Sequence, residues 1–488
     1  MVIESLKYKI LQQFGFAPTQ EQGQALDTFV SFLTDRDPQA VMILRGSAGT
    51  GKTSLSGAIV RTLLQIRQKV MLLAPTGRAA KVFSLGSGAP AYTIHRRIYR
   101  EKAFAGVDGQ FSLNDNLYTD TLFMVDEASM IANMGLGGTT FGSGCLLDDL
   151  VKFVYQGHND RLLLIGDQAQ LPPVGEEESP ALSASVMEEY GLKVYECDLN
   201  EVLRQSQSSG ILYNATLIRQ MITHDAVTGL PLIRFKGFAD IVMMPGAELV
   251  ESLGDSYHHV GMDETMVITR SNKRANIYNN GIRNMVLDRE EELSSGDMLI
   301  IVKNNYFWTE KEKKESGEGS AGAVPAFLAN GDRAKVLRVS NYIELYGFRF
   351  ATLLLQLPDY DDYEMQVTGM LDTLQSEAPA LTHEQQEELF RQVEEDYQHF
   401  VPLKADRMKS IRQDAYFNAL QIKYAYAVTC HKAQGGQWAH VYVDQGYMTD
   451  DMLTPDYIHW LYTAFTRATD KLFLVNWPKE QTCEPTDL

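Results

Sequence analysis

"ILRGSAGTGKTS", Ile43 to Ser54, joins the end of an apolar run to the start of a helix-forming one. Gly46, Gly51, Lys52 and Thr53 match G-x-x-x-x-G-K-[ST], with "AVMILR" as the preceding strand and "TSLSGAIVRTLLQ" as the following helix. The glycines let backbone amides approach phosphate oxygens, and the helix N-terminus adds partial positive charge. The loop Gly46, Ser47, Ala48, Gly49, Thr50, Gly51, Lys52, Thr53 and Ser54 is therefore the expected cradle of a nucleoside triphosphate. Lys52 would reach the β/γ-phosphates, and the Thr53 hydroxyl would bind Mg²⁺. A strand, a glycine loop and a helix in this order predict a parallel α/β layer.

The same grammar extends outward. "KVMLLAPT", "TLFMVDE" and "RLLLIGD" are short apolar runs ending in Pro, Thr, Asp or Gly, with helix-like stretches between them. Buried parallel strands read this way, with ligand residues at their C-terminal ends. "TMVITRSN", "HVYVDQG" and "KLFLVNW" repeat the pattern later, predicting a second layer of the same type. From Ser295 to Leu420 the pattern changes. "GDMLIIVKNNYFW", a polar loop "TEKEKKESGEGSAG", then "FLANGDRAKVLRV" and "NYIELYGFRFATLLLQL" predict a small barrel or sheet turning at Asn330-Gly331-Asp332. "THEQQEELFRQVEEDYQHF" reads as a helix, and "FAGVDGQFSLNDN" as a hairpin.

"TLFMVDEAS" delivers two carboxylates at a strand tip. Asp126 is suited to hold Mg²⁺, and Glu127 to orient or deprotonate a water. In "GDQAQLPPV", Gln170 follows a third strand tip on a turn stiffened by Pro172 and Pro173. A neutral amide there can contact both a γ-phosphate and a nucleophilic water. Standing alone, the stretch would be only a proline-fixed polar turn.

Composition bounds the rest. A chain of 488 residues predicts two or more domains. No run approaches the roughly 18 apolar residues of a membrane span. The N-terminus lacks the marks of a secretory signal. Cys145, Cys197, Cys430 and Cys483 lie far apart, with neither metal-ligand nor disulfide spacing, so a reducing, cytoplasmic setting is expected. The net charge of −19 excludes polyanion binding by bulk charge. Nucleic acid could be held only in a local groove, by stacking, amides and a few basic residues.

"GSAGTGKT", "APTGRAA", "TIHR", "DEAS", "GDQAQLPPV", "EVLRQ", "AVTCHKAQGGQW" and "YTAFTRA" occur in the order seen in superfamily 1 DNA helicases. The chain resembles their RecD-like and Pif-type branch, which moves 5′ to 3′ on single strands, from about Thr19 to Arg467. The resemblance implies two RecA-like P-loop motor domains. A small hairpin would be inserted in the first and a β-rich, SH3-like accessory domain in the second. Expected boundaries are 1–83 and 119–205 for the first motor, 84–118 for the hairpin, 206–294 and 421–488 for the second motor, and 295–420 for the accessory domain.

It further implies an ATP-dependent DNA helicase with Mg²⁺, acting in repair, recombination or replication. Its partners would be single-stranded DNA and single-strand/duplex junctions, and the acting form a monomer. Arg204 and Arg467 become arginines brought to the γ-phosphate, although each alone would read as a salt-bridge residue. Pro75, Thr76, Arg78, His95, Thr429, His431 and Lys432 become contacts to the DNA backbone, the histidines having structural roles as their alternative. Gln22 fits the adenine-reading glutamine, with Gln20 and Gln24 as rivals, and Gly435 falls to the nucleotide site. Phe111 lies in the hairpin where the family carries a strand-splitting pin; a packing hairpin is the alternative. The Gly-rich "GLGGTTFGSG" and the acidic helix depart from the family pattern. An ATP-gated subunit of a larger complex, a P-loop switch or kinase, and RNA in place of DNA stay open.

Overall fold

Each apolar run in the first 200 residues forms a strand. Ala40–Gly46 (β1), Lys69–Ala74 (β2), Ala91–Thr93 (β3), Tyr99–Glu101 (β4), Phe111–Leu113 (β5), Thr121–Val125 (β6), Arg161–Gly166 (β7) and Lys193–Leu199 (β8) follow in order. The structure is a computed structural model and describes residues 2–101, 111–135, 142–201, 208–223, 229–316, 325, 327–401 and 403–483. Six strands make a parallel sheet in the order β3-β2-β6-β7-β1-β8.

Both faces of this sheet are covered, which is why its strands read as unbroken apolar runs. Met42, Leu44, Leu163 and Ile165 share one core with Phe29 and Leu63 of the helices Gln20–Thr34 and Lys52–Gln65. Val41, Ile43, Leu162 and Leu164, one residue out of step, share the other with Phe153 of the helix Leu146–Gln156. Parallel strands put all their C-terminal ends on one edge. Because β1 lies between β7 and β8, and β6 beside β7, the P-loop, Asp167 and the Asp126-Glu127 pair emerge as neighbours.

Within the segment expected to hold a hairpin, β4 and β5 form an antiparallel pair, with Glu101 opposite Phe111. The expected segment 84–118 also contains the end of the helix Gly77–Ser87 and β3, both part of the main layer. The connecting residues 102–110 lie outside the described residues. Of the Gly-rich stretch, 136–141 likewise lies outside; Gly142 donates its N–H to Phe111 O at 2.8 Å.

The described chain divides into two compact units, Met1–Pro245 with Ala433–Leu488, and Gly246–Lys432. This cut differs from the expected boundaries, because it runs through both segments assigned to the second layer. The first unit also holds Ile241–Met244 (β9). In the second unit, Thr265–Thr269 (β10) is followed by Met298–Ile301 (β11), Arg333–Leu345 (β12), Phe348–Leu357 (β13), Tyr363–Met370 (β14), Leu420–Tyr424 (β15) and Ala427–Thr429 (β16). Back in the first unit come Trp438–Asp444 (β17) and Ala468–Val475 (β18). β18 pairs in parallel with both β17 and β9, and in the second unit β10 pairs in parallel with β16.

β11 to β15 form a closed barrel. Its last strand starts at the expected end, 420, and runs past it to Tyr424, since β15 is what satisfies the free edge of β11. Phe307–Ser316, where the end of a strand and the start of a polar loop were expected, is a helix. The acidic helix is His383–Gln398, opened by a capping box between Thr382 and Gln385. Leu389 and Val393, four residues apart, turn its apolar stripe onto Phe348, Phe350 and Met370.

Candidate functional site

The P-loop requires its glycines. Gly49 and Gly51 have φ of +77° and +80°, and a Cβ on Gly46 would stand 2.9 Å from Lys52 Cγ. Thr53 and Ser54 open the following helix with exposed side chains. The Lys52 ammonium donates to the carbonyls of Gly46 and Ser47 and stands 4.0 Å from Asp167. The amide of Ala48 donates to the hydroxyl of Tyr462 at 2.9 Å, and that hydroxyl donates to Asp167 at 2.6 Å.

At the tip of β6, Glu127 has φ +53° and ψ +37°. A left-handed glutamate costs on the order of 1–3 kcal/mol and persists only when its surroundings fix it. Its N–H donates to Asp126 Oδ1 at 2.9 Å. Burial, then the charge of Glu127, pushes the Asp126 carboxyl up to about 7, against the pull of that N–H and of Lys52. A carboxylate that is costly to ionise alone, and a threonine hydroxyl at the start of the P-loop helix on the same edge of the sheet, are donor types that fit Mg²⁺.

Gln170 is 5% exposed, and its Oε1 has no hydrogen-bond partner. A buried acceptor without a partner suits a site completed by water or ligand. The turn that carries it is gripped by the C-terminal segment of the same unit. Leu171 N–H donates to Thr463 Oγ1 at 2.8 Å, Gln434 Nε2 donates to Leu171 O at 2.7 Å, and His459 Nδ1 lies 2.9 Å from Ala169 O.

Arg467, 2% exposed, donates to Thr463 O, Gly436 O and Thr466 Oγ1 at 3.0, 3.1 and 3.2 Å. It thus fastens the end of the helix Pro455–Phe465 to the loop before β17. Gly435, expected at the nucleotide, instead meets the start of the helix Gly77–Ser87. At φ +71°, a Cβ there would stand 3.1 Å from Ala79 Cβ and 3.2 Å from Thr76 Oγ1. Arg204 lies outside the described residues.

Gln22 does something other than wait for a base. Its Oε1 accepts from Thr19 N at 3.0 Å and its Nε2 donates to Thr50 O at 2.9 Å, so the buried amide ties helix entry to P-loop. Its rivals Gln20 and Gln24 are exposed.

Among the expected nucleic-acid contacts, Pro75 and Thr76 follow β2, and the Thr76 hydroxyl caps the next helix by accepting from Ala79 N at 3.2 Å. Arg78 reaches Gln437 O at 2.5 Å and lies 4.5 Å from the Trp438 ring centroid. His95 is half-buried, its ring 5.6 Å from Tyr99, and burial holds its pKa down to about 4. Phe111 packs against the core that contains Phe123 and Phe153, so it is not an exposed apolar tip. In the second unit, Thr429 ends β16, His431 is exposed, and Lys432 donates to Asn330 Oδ1.

Tyr462 and Arg219 were not legible as site residues. Tyr462 belongs to the quoted "YTAFTRA", but only contact reveals its hydroxyl on the P-loop. Arg219 falls outside every motif, and its NH1 donates to Ser47 Oγ at 2.6 Å.

Residues 17–229 match the AAA domain family, and residues 424–475 the UvrD-like helicase C-terminal domain. The chain is 30% identical over 157 residues to the ATP-dependent RecD2 DNA helicase of Deinococcus radiodurans, covering 32% of this chain and 18% of that one. It is 25% identical over 265 residues to the ATP-dependent DNA helicase dda of Enterobacteria phage T4, covering 53% and 55%. The chain therefore spans less than two thirds of either relative. A crystal structure of Pif1 helicase from Bacteroides in complex with ADP-AlF3 and ssDNA is 13% identical, with a TM-score of 0.46 over 96% of this chain and 95% of that one.

Proposed function

The chain belongs to the superfamily 1 helicases of the RecD-like and Pif-type branch, and from that premise we propose that it is an ATP-driven motor that moves 5′ to 3′ on single-stranded DNA and opens duplex at junctions. The observation that carries this reading is one continuous set of contacts in the first unit. The C-terminal segment touches the P-loop through Tyr462 and the Gln170 turn through Thr463 and Gln434. It also touches the start of the Thr76 helix through Arg78 and Gln437. A change at the terminal phosphate is thereby joined mechanically to a segment proposed to hold the strand.

In this reading Lys52 leaves the carbonyls of Gly46 and Ser47 for the β/γ-phosphates, and the Ala48 amide exchanges Tyr462 for a phosphate oxygen. Glu127 takes the proton of the attacking water while the Gln170 amide holds water and γ-phosphate together. Arg467 and Arg204 answer the charge that develops there, a contribution of roughly 10³–10⁵ in rate for arginines of this type. Asp126 and Thr53 would hold Mg²⁺, which supplies neutralisation of phosphate charge. Thr76, His95, Thr429, His431 and Lys432 hold the backbone of the strand, the barrel being the SH3-like accessory domain.

ATP hydrolysis measured with and without a single-stranded oligonucleotide, across a salt series, tests the proposal. Strong stimulation that fades with salt is expected, followed by unwinding of 5′-tailed but not 3′-tailed duplex. Turnover indifferent to the oligonucleotide would sink it, and stimulation by RNA alone would reassign the strand.

A further inference from the structure

Arg219 lies on the helix Gly210–Thr223, and its NH1 donates to Ser47 Oγ at 2.6 Å and Asn200 Oδ1 at 3.1 Å. In a chain of net charge −19, no carboxylate among the described residues pairs with it. Its Nε is buried without a partner. A half-buried guanidinium whose partners are all neutral keeps an uncompensated positive charge against the P-loop, which an anion there would balance.

A second observation indicates where that anion would sit. The Tyr462 oxygen accepts from the Ala48 amide at 2.9 Å, and its hydrogen goes to Asp167, which is 4.0 Å from Lys52 Nζ. The positive charge of Arg219 also acts on this phenol, opposing the burial and the Asp167 charge that push its pKa up. An oxygen acceptor thus occupies a P-loop amide with Lys52 and Arg219 nearby. P-loop amides toward the helix start cradle the α/β-phosphates. Ser47 and Ala48, at the leading end of the loop, are left to the outermost phosphate.

We propose that Arg219 binds the terminal phosphate of the nucleoside triphosphate and gives the site its preference for triphosphate over diphosphate. The proposal rests on the nucleotide-site reading above and adds a third arginine to Arg204 and Arg467.

The test compares binding of AMP-PNP and ADP, each with Mg²⁺, to the full chain and its variants by calorimetry. Arg219→Gln keeps a donor for Ser47 but removes the charge. It is expected to weaken AMP-PNP about tenfold to a hundredfold, as for loss of a charge-assisted hydrogen bond, and to leave ADP within about twofold. Arg219→Lys should recover part of the preference, because it restores charge without the planar fork. Equal losses for both nucleotides would make Arg219 a prop for the loop and overturn the proposal, as would an unchanged preference in Arg219→Gln. Thermal unfolding of each variant identifies a folding defect, in which case Arg219→Lys decides alone: parallel losses for both nucleotides refute the assignment. Failure of the wild-type chain to bind either nucleotide would instead refute the nucleotide site itself.

Discussion

Glu127 has given up an ordinary backbone for a fixed direction: at φ +53° its carboxylate leaves the tip of β6 beside Asp126. If it handles the attacking water, Glu127→Gln lowers kcat by roughly 10²–10⁴ and leaves nucleotide affinity within a few-fold. Rapid-quench turnover beside equilibrium binding checks both halves. Lys52→Ala should abolish hydrolysis while oligonucleotide binding stays measurable by anisotropy; retained turnover would remove the loop from catalysis. Lys432 offers a pH test. Burial, aided by the charge of Lys423, holds its pKa down to about 8 from the ordinary 10.5. A lysine lowered on folding makes stability rise with pH between about 8 and 10.5, because there the unfolded chain keeps a proton that the folded one has released. A contact to DNA runs the other way: charge is lost above about 8, so affinity should fall between pH 7 and 9. Lys432→Met should flatten that profile, and matching profiles would exclude Lys432 from the interface. His95, held down to about 4, is neutral throughout that range and adds no slope.

At the scale of elements, the parallel sheet and its P-loop were the legible part. Continuous apolar runs such as Arg161–Gly166 have one reading because both faces are buried, and the P-loop has one because only glycine fits Gly46, Gly49 and Gly51. The Thr76 hydroxyl serves the helix Gly77–Ser87 as its cap and is also proposed to meet DNA. Thr76→Ala should cost about 1 kcal/mol in chemical denaturation, while Thr76→Ser should retain most of it. An equal oligonucleotide affinity in all three proteins would confine Thr76 to capping. In the core, Phe123→Ala should cost about 3–5 kcal/mol, since its ring is fully buried against Tyr118 and Phe153. The helix Phe307–Ser316 was not legible, because "TEKEKKES" is polar enough to pass for a solvated loop. Nor was barrel closure through Leu420–Tyr424, which depends on the free edge of Met298–Ile301 more than a hundred residues earlier.

For the whole molecule, the charge of −19 sets the constraint on strand binding. The strand must be held by a few local groups against bulk repulsion. Raising salt screens both, but the local contacts also release condensed counterions from DNA, so net affinity should still fall with salt. The expected slope is shallow, about one unit of log K per log salt for each neutralised phosphate. A slope of zero would mean that stacking alone holds the strand.

The sequence by itself determined the phosphate-loop motif, the strands that carry Asp126, Glu127 and Gln170, and the family resemblance. Those signals are local, written in residue type and spacing over a dozen positions. The tertiary structure alone decided which groups meet. Gln22 is spent on Thr19 and Thr50, Gly435 lies against the Thr76 helix, Phe111 packs against the core, and Tyr462 and Arg219 reach the P-loop. The Tyr462 and Arg219 contacts join positions 414 and 172 residues apart, and no local pattern specifies a hydrogen bond across that distance; it exists only once the packed elements bring donor and acceptor within 3 Å of each other.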